Sequence, residues 1–354
     1  MQQIINQFTD TIRTAIASKM PLRIRGGGSK DFYGGKPQGE ILDTTAYRGI
    51  VDYEPTELVI TARCGMPLAE IAAALQQHGQ MLAFEPPHFG NHATLGGCIA
   101  AGLSGPRRAA SGAVRDFVLG VRILDGRGHD LRFGGQVMKN VAGYDVSRLM
   151  TGSLGTLGLI LEVSLKVLPL PKTEATLRFE LAEDQAIRML NQWAGKPLPI
   201  SASAYTGGEL GLRLSGAATA VESACGKLGG ERIETEQARR FWTGIREQTD
   251  PFFESGAPLW RLSIKSTTPP LNLPGEQLIE WGGSLRWLKS AADAQPIRGA
   301  AAKAGGHATL FRAADKSAGV FHPLPPALLK VHKKLKQTFD PAGIFNPGRL
   351  YPEL

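Results

Sequence analysis

A chain of 354 residues is longer than one hydrophobic core usually supports, which points to two domains. Its 42% hydrophobic and 20% charged residues are globular values and exclude a disordered chain. The 40 Lys and Arg against 32 Asp and Glu give a formal charge of +8, which favours anionic ligands. Those charges are dispersed and no RRM, KH or zinc-finger pattern accompanies them, so nucleic acid is not expected as a partner. Cys64, Cys98 and Cys225 are too few and too far apart for a disulfide framework or a four-cysteine iron–sulfur site, which fits a reducing cytoplasm. No segment reads as a leader or as a membrane span, so any membrane contact is expected to be peripheral or through partners.

The chain opens on Ile4, Ile5, Phe8, Ile12 and Ile16, whose spacing predicts an amphipathic helix. Leu22-Arg23-Ile24 then reads as a short strand entering Arg25-Gly26-Gly27-Gly28-Ser29, where three glycines forbid regular structure and permit close backbone approach. A strand at 58–62 follows, then a helix from Pro67 to Gly79 with Leu68, Ile71 and Leu75 on one face. A second glycine stretch spans 94–102, and a hairpin is expected from a strand at 117–124 turning through Asp125-Gly126-Arg127-Gly128 into 129–133. A third glycine cluster, 152–158, leads into the clear alternation of Leu161, Val163, Leu165 and Val167.

Pro169 and Pro171 mark a change of character, and a domain boundary is placed there. Beyond it lie a strand (174–181), a helix (182–194), two strands (200–214) and a helix (217–228). A looser second round has strands at 260–264, 285–288 and 307–312, with an uncertain helix between the first two. Such βαββαβ units build antiparallel sheets with helices on one face. A basic amphipathic helix near 326–338 and a tail rich in proline and glycine complete the expected α+β order: 1–170, 171–322 and 323–354.

Successive N–H groups in a glycine turn form a cradle for phosphate oxygens. The run at 26–28 could act so or simply connect elements, and the further glycines at 96, 97, 155 and 158 favour the cradle. Rossmann spacing (Gly-x-Gly-x-x-Gly) and the nucleoside-triphosphate loop are both absent. His307 is a weak catalytic candidate, since a lone His near a strand is more often structural. His88 and His92 read as loop residues and no metal site is expected. Arg107, Arg108 and Lys139 could meet phosphate or carboxylate. The basic face of Lys330, Lys333, Lys334 and Lys336 reads as solvated.

Taken in order, Arg25-Gly26-Gly27-Gly28-Ser29, Thr94-Leu95-Gly96-Gly97, the stretch 112–120 and Gly155-Thr156-Leu157-Gly158 resemble the vanillyl-alcohol-oxidase (PCMH-type) FAD-binding superfamily. The tail Phe339-Asp340-Pro341 to Tyr351 resembles that superfamily's D-lactate and glycolate oxidase branch, and the stretches 54–63, 79–82, 105–108, 137–145, 281–283 and 305–309 together resemble its family of FAD-binding E subunits of bacterial glycolate oxidase. The resemblance implies a two-part FAD domain, a ferredoxin-like antiparallel cap and a tail returning to the FAD domain. It also implies pyrophosphate contacts from Arg25, Gly26, Gly27, Gly28, Ser29, Thr94, Leu95, Gly96 and Gly97, continued by Ser104, Gly105, Gly112 and Arg115. Gly155, Gly158 and Ile160 would approach the adenosine half, and Asn346 would close over the flavin side.

Ser29 stands where many relatives carry the His that attaches flavin, so non-covalent FAD is expected. The Gly-Asp-Gly-Asn-Leu-His stretch of catalytic relatives has only Gly305-Gly306-His307 as its counterpart. The implied role is therefore an electron-transfer or structural flavin subunit of a multi-subunit glycolate oxidase, with the main substrate site on a second FAD-containing subunit and an iron–sulfur subunit passing electrons to quinone, cytoplasmic or peripheral at the plasma membrane's inner face. A self-sufficient 2-hydroxy-acid dehydrogenase using His307, or a scaffold that no longer binds flavin, are the rivals.

Overall fold

The computed structural model describes residues 1–135, 145–254 and 256–354. The motif residues 137–144, Lys139 among them, lie outside the described residues. The opening helix Gln2–Ser18 buries Ile5, Phe8, Ile12 and Ala15, the apolar stripe its spacing announced. It packs into a core shared with a five-stranded antiparallel sheet, whose strands run Ile50–Glu54, Val59–Arg63, Leu159–Lys166, Val118–Leu124 and Asp130–Gly134 in spatial order. Leu159–Lys166 is central, and its Leu161, Val163 and Leu165 are essentially inaccessible.

A separate parallel pair, Leu22–Arg25 with Glu40–Asp43, carries the first glycine loop at its end. The chain's tail joins this pair: the Leu22 N–H donates to the Ile344 carbonyl (2.7 Å) and the Asn346 N–H to the Leu22 carbonyl (2.9 Å). The helix Pro326–Phe339 delivers that tail, and its buried Lys336 ammonium donates to the carbonyls of Thr156 (2.9 Å) and Phe345 (2.7 Å) and pairs with Asp340 at 2.8 Å. Lys336 is thus a fastener, not part of a solvated basic face.

Apart from a small antiparallel pair, Gln80–Met81 with Leu168–Pro169, the remaining strands form one eight-stranded antiparallel sheet. Its middle is the hairpin Glu276–Glu280 and Leu285–Lys289, turned through Trp281–Gly283, which links the first βαββ round to the second. The uncertain helix between the strands at 260 and 285 is therefore a strand. The two longest of the helices that escaped the sequence reading are Thr235–Glu247 and Ala294–Lys303. One sheet face packs on helices through Leu177, Leu190, Leu212 and Val221 in one half and Leu262, Leu288, Ile297 and Ala301 in the other. The opposite face packs on the first half of the molecule, where Leu259, Leu278, Trp287 and Phe311 meet Tyr33, Ala101, Leu103 and Leu154. The observed class is α+β, as expected.

Candidate cofactor cradle

The strand Leu22–Arg25 ends as the chain enters Gly26, and the loop runs against the segment 92–97. A Cβ on Gly27 would lie 1.4 Å from the His92 carbonyl oxygen and one on Gly26 2.3 Å from the Thr94 hydroxyl, so only glycine allows this approach. Gly28 has φ +72°. The N–H groups of Gly26, Gly27, Gly28, Ser29 and Lys30 find no acceptor among the described residues. Five successive free amides facing a cleft are the donor set that an anionic diphosphate requires.

That cleft is lined by residues 23–31 together with Thr94, Gly97, Ala100, Ala101, Leu154, Asn346 and Arg349. It continues into a second pocket lined by Gly96, Gly155, Gly158 and Ile160 and sharing Gly26, Gly97 and Asn346 with the first. Lys30 stands at the cradle's end, its ammonium 3.3 Å from the His88 carbonyl and over the Phe89 ring at 5.4 Å. Burial pulls its pKa below the ordinary lysine value, against the attraction of Cys98 and Glu247. A nearby anion would reverse that cost.

The other glycine segments spend their amides within the protein. The Leu95 N–H donates to the Met66 carbonyl (2.9 Å), Gly96 to Cys64 (2.8 Å) and Gly97 to the Thr94 hydroxyl (3.4 Å), which caps the short helix Leu95–Ala101. The Gly105 N–H donates to the Phe84 carbonyl (2.9 Å), while its own carbonyl accepts the Trp281 indole N–H (3.0 Å). The Ser104 hydroxyl accepts from the Val114 N–H, the Gly112 N–H donates to the Arg108 carbonyl, and Arg115 is exposed. Gly112 lines a different groove, beside Arg108 and Trp281. Arg107 is held by Glu85 (3.3 Å) and Glu174 (2.5 Å) rather than facing a ligand.

Asn346 works as a clamp. Its side-chain oxygen accepts from the Ile24 N–H (2.7 Å) and its amide donates to the Leu154 carbonyl (2.6 Å), tying the strand before the cradle to the loop before Gly155. Arg349 fixes the segment after the cradle through the carbonyls of Asp31, Tyr33 and Gly35. Asp31 accepts from Arg23 (2.5 Å) and Arg25 (2.8 Å), which turns both arginine heads toward one carboxylate. The sequence reading missed Lys30, Asp31 and Arg349. The first two follow Ser29 directly, and continuing the cradle by two positions would have found them. His307, on the last strand of the large sheet, lines neither of these pockets.

A glycine cradle between a short parallel pair and an antiparallel sheet, capped by a second sheet, defines the FAD-linked oxidase class. The model for an FAD binding domain matches residues 4–134, and that for the C-terminal domain of FAD linked oxidases matches residues 315–350. The same fold is present in alkyldihydroxyacetonephosphate synthase, with a TM-score of 0.66 at 14% identity over 97% of this chain and 74% of that one. Glycolate oxidase subunit GlcE of Escherichia coli (strain K12) is 53% identical over 345 residues, covering 98% of this chain and 97% of that protein. The chain belongs to the family of glycolate oxidase subunit GlcE. Glycolate oxidase subunit GlcD of Bacillus subtilis (strain 168) is 32% identical over 161 residues, 45% of this chain and 34% of that protein. The chain is an FAD-dependent oxidoreductase subunit, and no helix among the described residues is long and apolar enough to cross a membrane.

Proposed function

We propose that the chain is the FAD-binding subunit of a multi-subunit glycolate oxidase that converts glycolate to glyoxylate and passes electrons through an iron–sulfur partner to quinone. The single observation that carries the cofactor half of this reading is the run of free amides from Gly26 to Lys30. The family relation to GlcE supports the substrate, and the likeness to GlcD over part of the chain supports a second flavin subunit as partner.

Bound FAD supplies a two-electron acceptor. Gly26 to Lys30 bind its diphosphate by backbone donation, with Lys30 adding a compensating positive charge. Gly155, Gly158 and Ile160 line the adjoining pocket, and Asn346 holds the two walls in register. Arg25, Thr94 and Gly97 line the same cleft and Gly96 the adjoining pocket, with Leu95 buried beside them, while Gly105 and Gly112 lie against the Trp281 turn of the cap and Ser104 and Arg115 flank them in the chain. The boundaries 1–170, 171–322 and 323–354 are the units that this division of labour suggests. Ser29 in place of a nucleophilic His makes the attachment non-covalent. The deciding experiment is co-purification of the tagged chain from its host, with flavin and iron counted on the intact complex and glycolate-dependent dye reduction assayed. Flavin that remains in the acid precipitate would refute non-covalent binding, and a flavin-free chain would refute the reading.

A further inference from the structure

The helix Pro326–Phe339 turns Leu335 and Phe339 onto the core and leaves Leu328, Lys330, Val331, Lys333 and Lys334 exposed. Its sequence holds no Asp or Glu, and the ammonium groups of those three lysines make no ion pair and no hydrogen bond among the described residues. Lys330 lies three and four positions before Lys333 and Lys334, so three like charges crowd one strip of helix surface, an arrangement that destabilises a helix left to itself. The helix dipole does not account for them. It favours cations within the last turn, and the cation there is the buried Lys336.

Leu328 and Val331, also three apart, are 45% and 50% exposed, which sets an aliphatic patch beside the cations. The face is held from below: the Gly126 N–H donates to the Phe339 carbonyl (2.7 Å) and the Arg127 guanidinium to the Thr338 carbonyl (2.9 Å), while Lys336 fastens the inner side. A partner that docks here meets a preorganised surface, so little ordering opposes binding. A membrane is a poor occupant, because the helix's apolar stripe is spent on the core and only two aliphatic side chains remain to enter lipid. A second copy of this chain is a poorer one, since a two-fold contact would set the lysine strip against itself.

We propose that the outer face of this helix docks an acidic protein surface, an aliphatic patch ringed by carboxylates on another subunit of the oxidase. This deepens the proposed function and rests on its multi-subunit reading, to which it adds where on this chain a partner sits and by what chemistry. Attraction between the two charged surfaces speeds and orients their encounter, and the aliphatic centre supplies the dry contact that slows departure.

The test uses the full-length tagged chain, produced in its host together with the second flavin subunit and the iron–sulfur subunit of the proposed oxidase. Recovery of each subunit at low and high salt, flavin per chain and melting temperature are measured for the parent and three variants. One carries Lys330→Glu, Lys333→Glu and Lys334→Glu, one carries Leu328→Ser and Val331→Ser, and a control reverses the exposed Lys172, Lys227 and Lys303. The expected result is a partner subunit held by the parent and the control, and held less tightly as salt rises. Its recovery falls at least tenfold in the charge-reversed variant and several-fold in the aliphatic one, with flavin and melting temperature unchanged. Should the triple variant fold poorly, Lys334→Glu alone is expected to lower recovery several-fold. Equal recovery in parent and variants overturns the proposal, as does an equal loss in the control. Two other results overturn it in favour of a different occupant: adsorption of the parent to phosphatidylglycerol vesicles, or self-association in sedimentation, that charge reversal abolishes while partner recovery stays intact. A flavin-free chain that still holds a subunit through these lysines refutes the proposed function and leaves the docking face standing. A flavin-bearing, glycolate-oxidising complex indifferent to them does the reverse.

Discussion

Glu85 is the residue on which the two halves of the molecule close. Its carboxylate accepts from the Arg213 guanidinium at 2.8 Å and 3.0 Å, from the Arg107 side chain at 3.3 Å and from the Arg107 N–H at 2.9 Å. Burial pushes its pKa up, but Arg213 and then Arg107 outweigh that and hold it below the ordinary value. Glu85→Gln leaves the buried Arg213 guanidinium without a carboxylate and Arg107 with Glu174 alone, and the expected loss is about 3–5 kcal/mol in urea denaturation at pH 7. Because the folded carboxyl titrates below its unfolded value, its contribution is present above pH 4.5 and disappears as pH falls through the folded value. Glu280 runs the other way. Its folded value of about 7 lies above the unfolded 4.5, so its favourable contribution is complete below 4.5 and is lost as pH rises through 7. A rise of that size corresponds to about 3 kcal/mol as an upper bound. Glu280→Gln keeps the acceptor for Trp287, and is expected to be more stable than the parent chain at pH 8 and equal to it near pH 4.5 by the same denaturation measurement.

At the scale of elements, the glycine loop is a rigid seat whose shape depends on the segment beneath it. Gly27→Ala puts a methyl into the His92 carbonyl, so the loop must lift. The expected outcome is at least a tenfold drop in FAD affinity with unchanged far-ultraviolet circular dichroism, measured by flavin fluorescence titration. Asn346→Ala removes the clamp between Ile24 and Leu154 and is expected to cost about 1–3 kcal/mol of stability and to weaken FAD in the same assay. Strands with plain alternation were legible in the sequence, as Leu161, Val163 and Leu165 show, and so was the strand His307–Arg312. Glu276–Glu280 was not, because only five residues, Glu-Gln-Leu-Ile-Glu, lie between a proline-rich run and Trp281-Gly282-Gly283. Its β character comes from two neighbouring strands rather than from local pattern. Thr235–Glu247 hid for a similar reason: its polar content is high and only Ala238, Trp242 and Ile245 are buried. The irregular loop at 26–28 was legible in its three successive glycines, and the further glycines at 96, 97, 155 and 158 pointed to a cradle. Which glycine amides stay free was not, since Gly96 and Gly105 are spent on carbonyls of Cys64 and Phe84, contacts made only by the folded chain.

For the whole molecule, a ligand that binds only the folded chain must stabilise it by mass action. Adding FAD to the flavin-free protein at about 100 times its dissociation constant is expected to contribute about 2.7 kcal/mol, seen as a concentration-dependent rise in melting temperature. A melting temperature indifferent to FAD would count against the cradle. The seat itself is assembled from distant parts of the chain: Ile24 and Asn346, joined by a hydrogen bond, are 322 positions apart. Synthesis proceeds from the amino terminus, and early segments collapse first. A nascent chain therefore displays the amides of Gly26 to Lys30 long before anything holds Ile24 beside Leu154. On the proposed reading, the cofactor is not seated until residue 346 has left the ribosome, so flavin supply and translation need not be synchronised. A cell short of flavin would accumulate finished, empty chains rather than stalled ones.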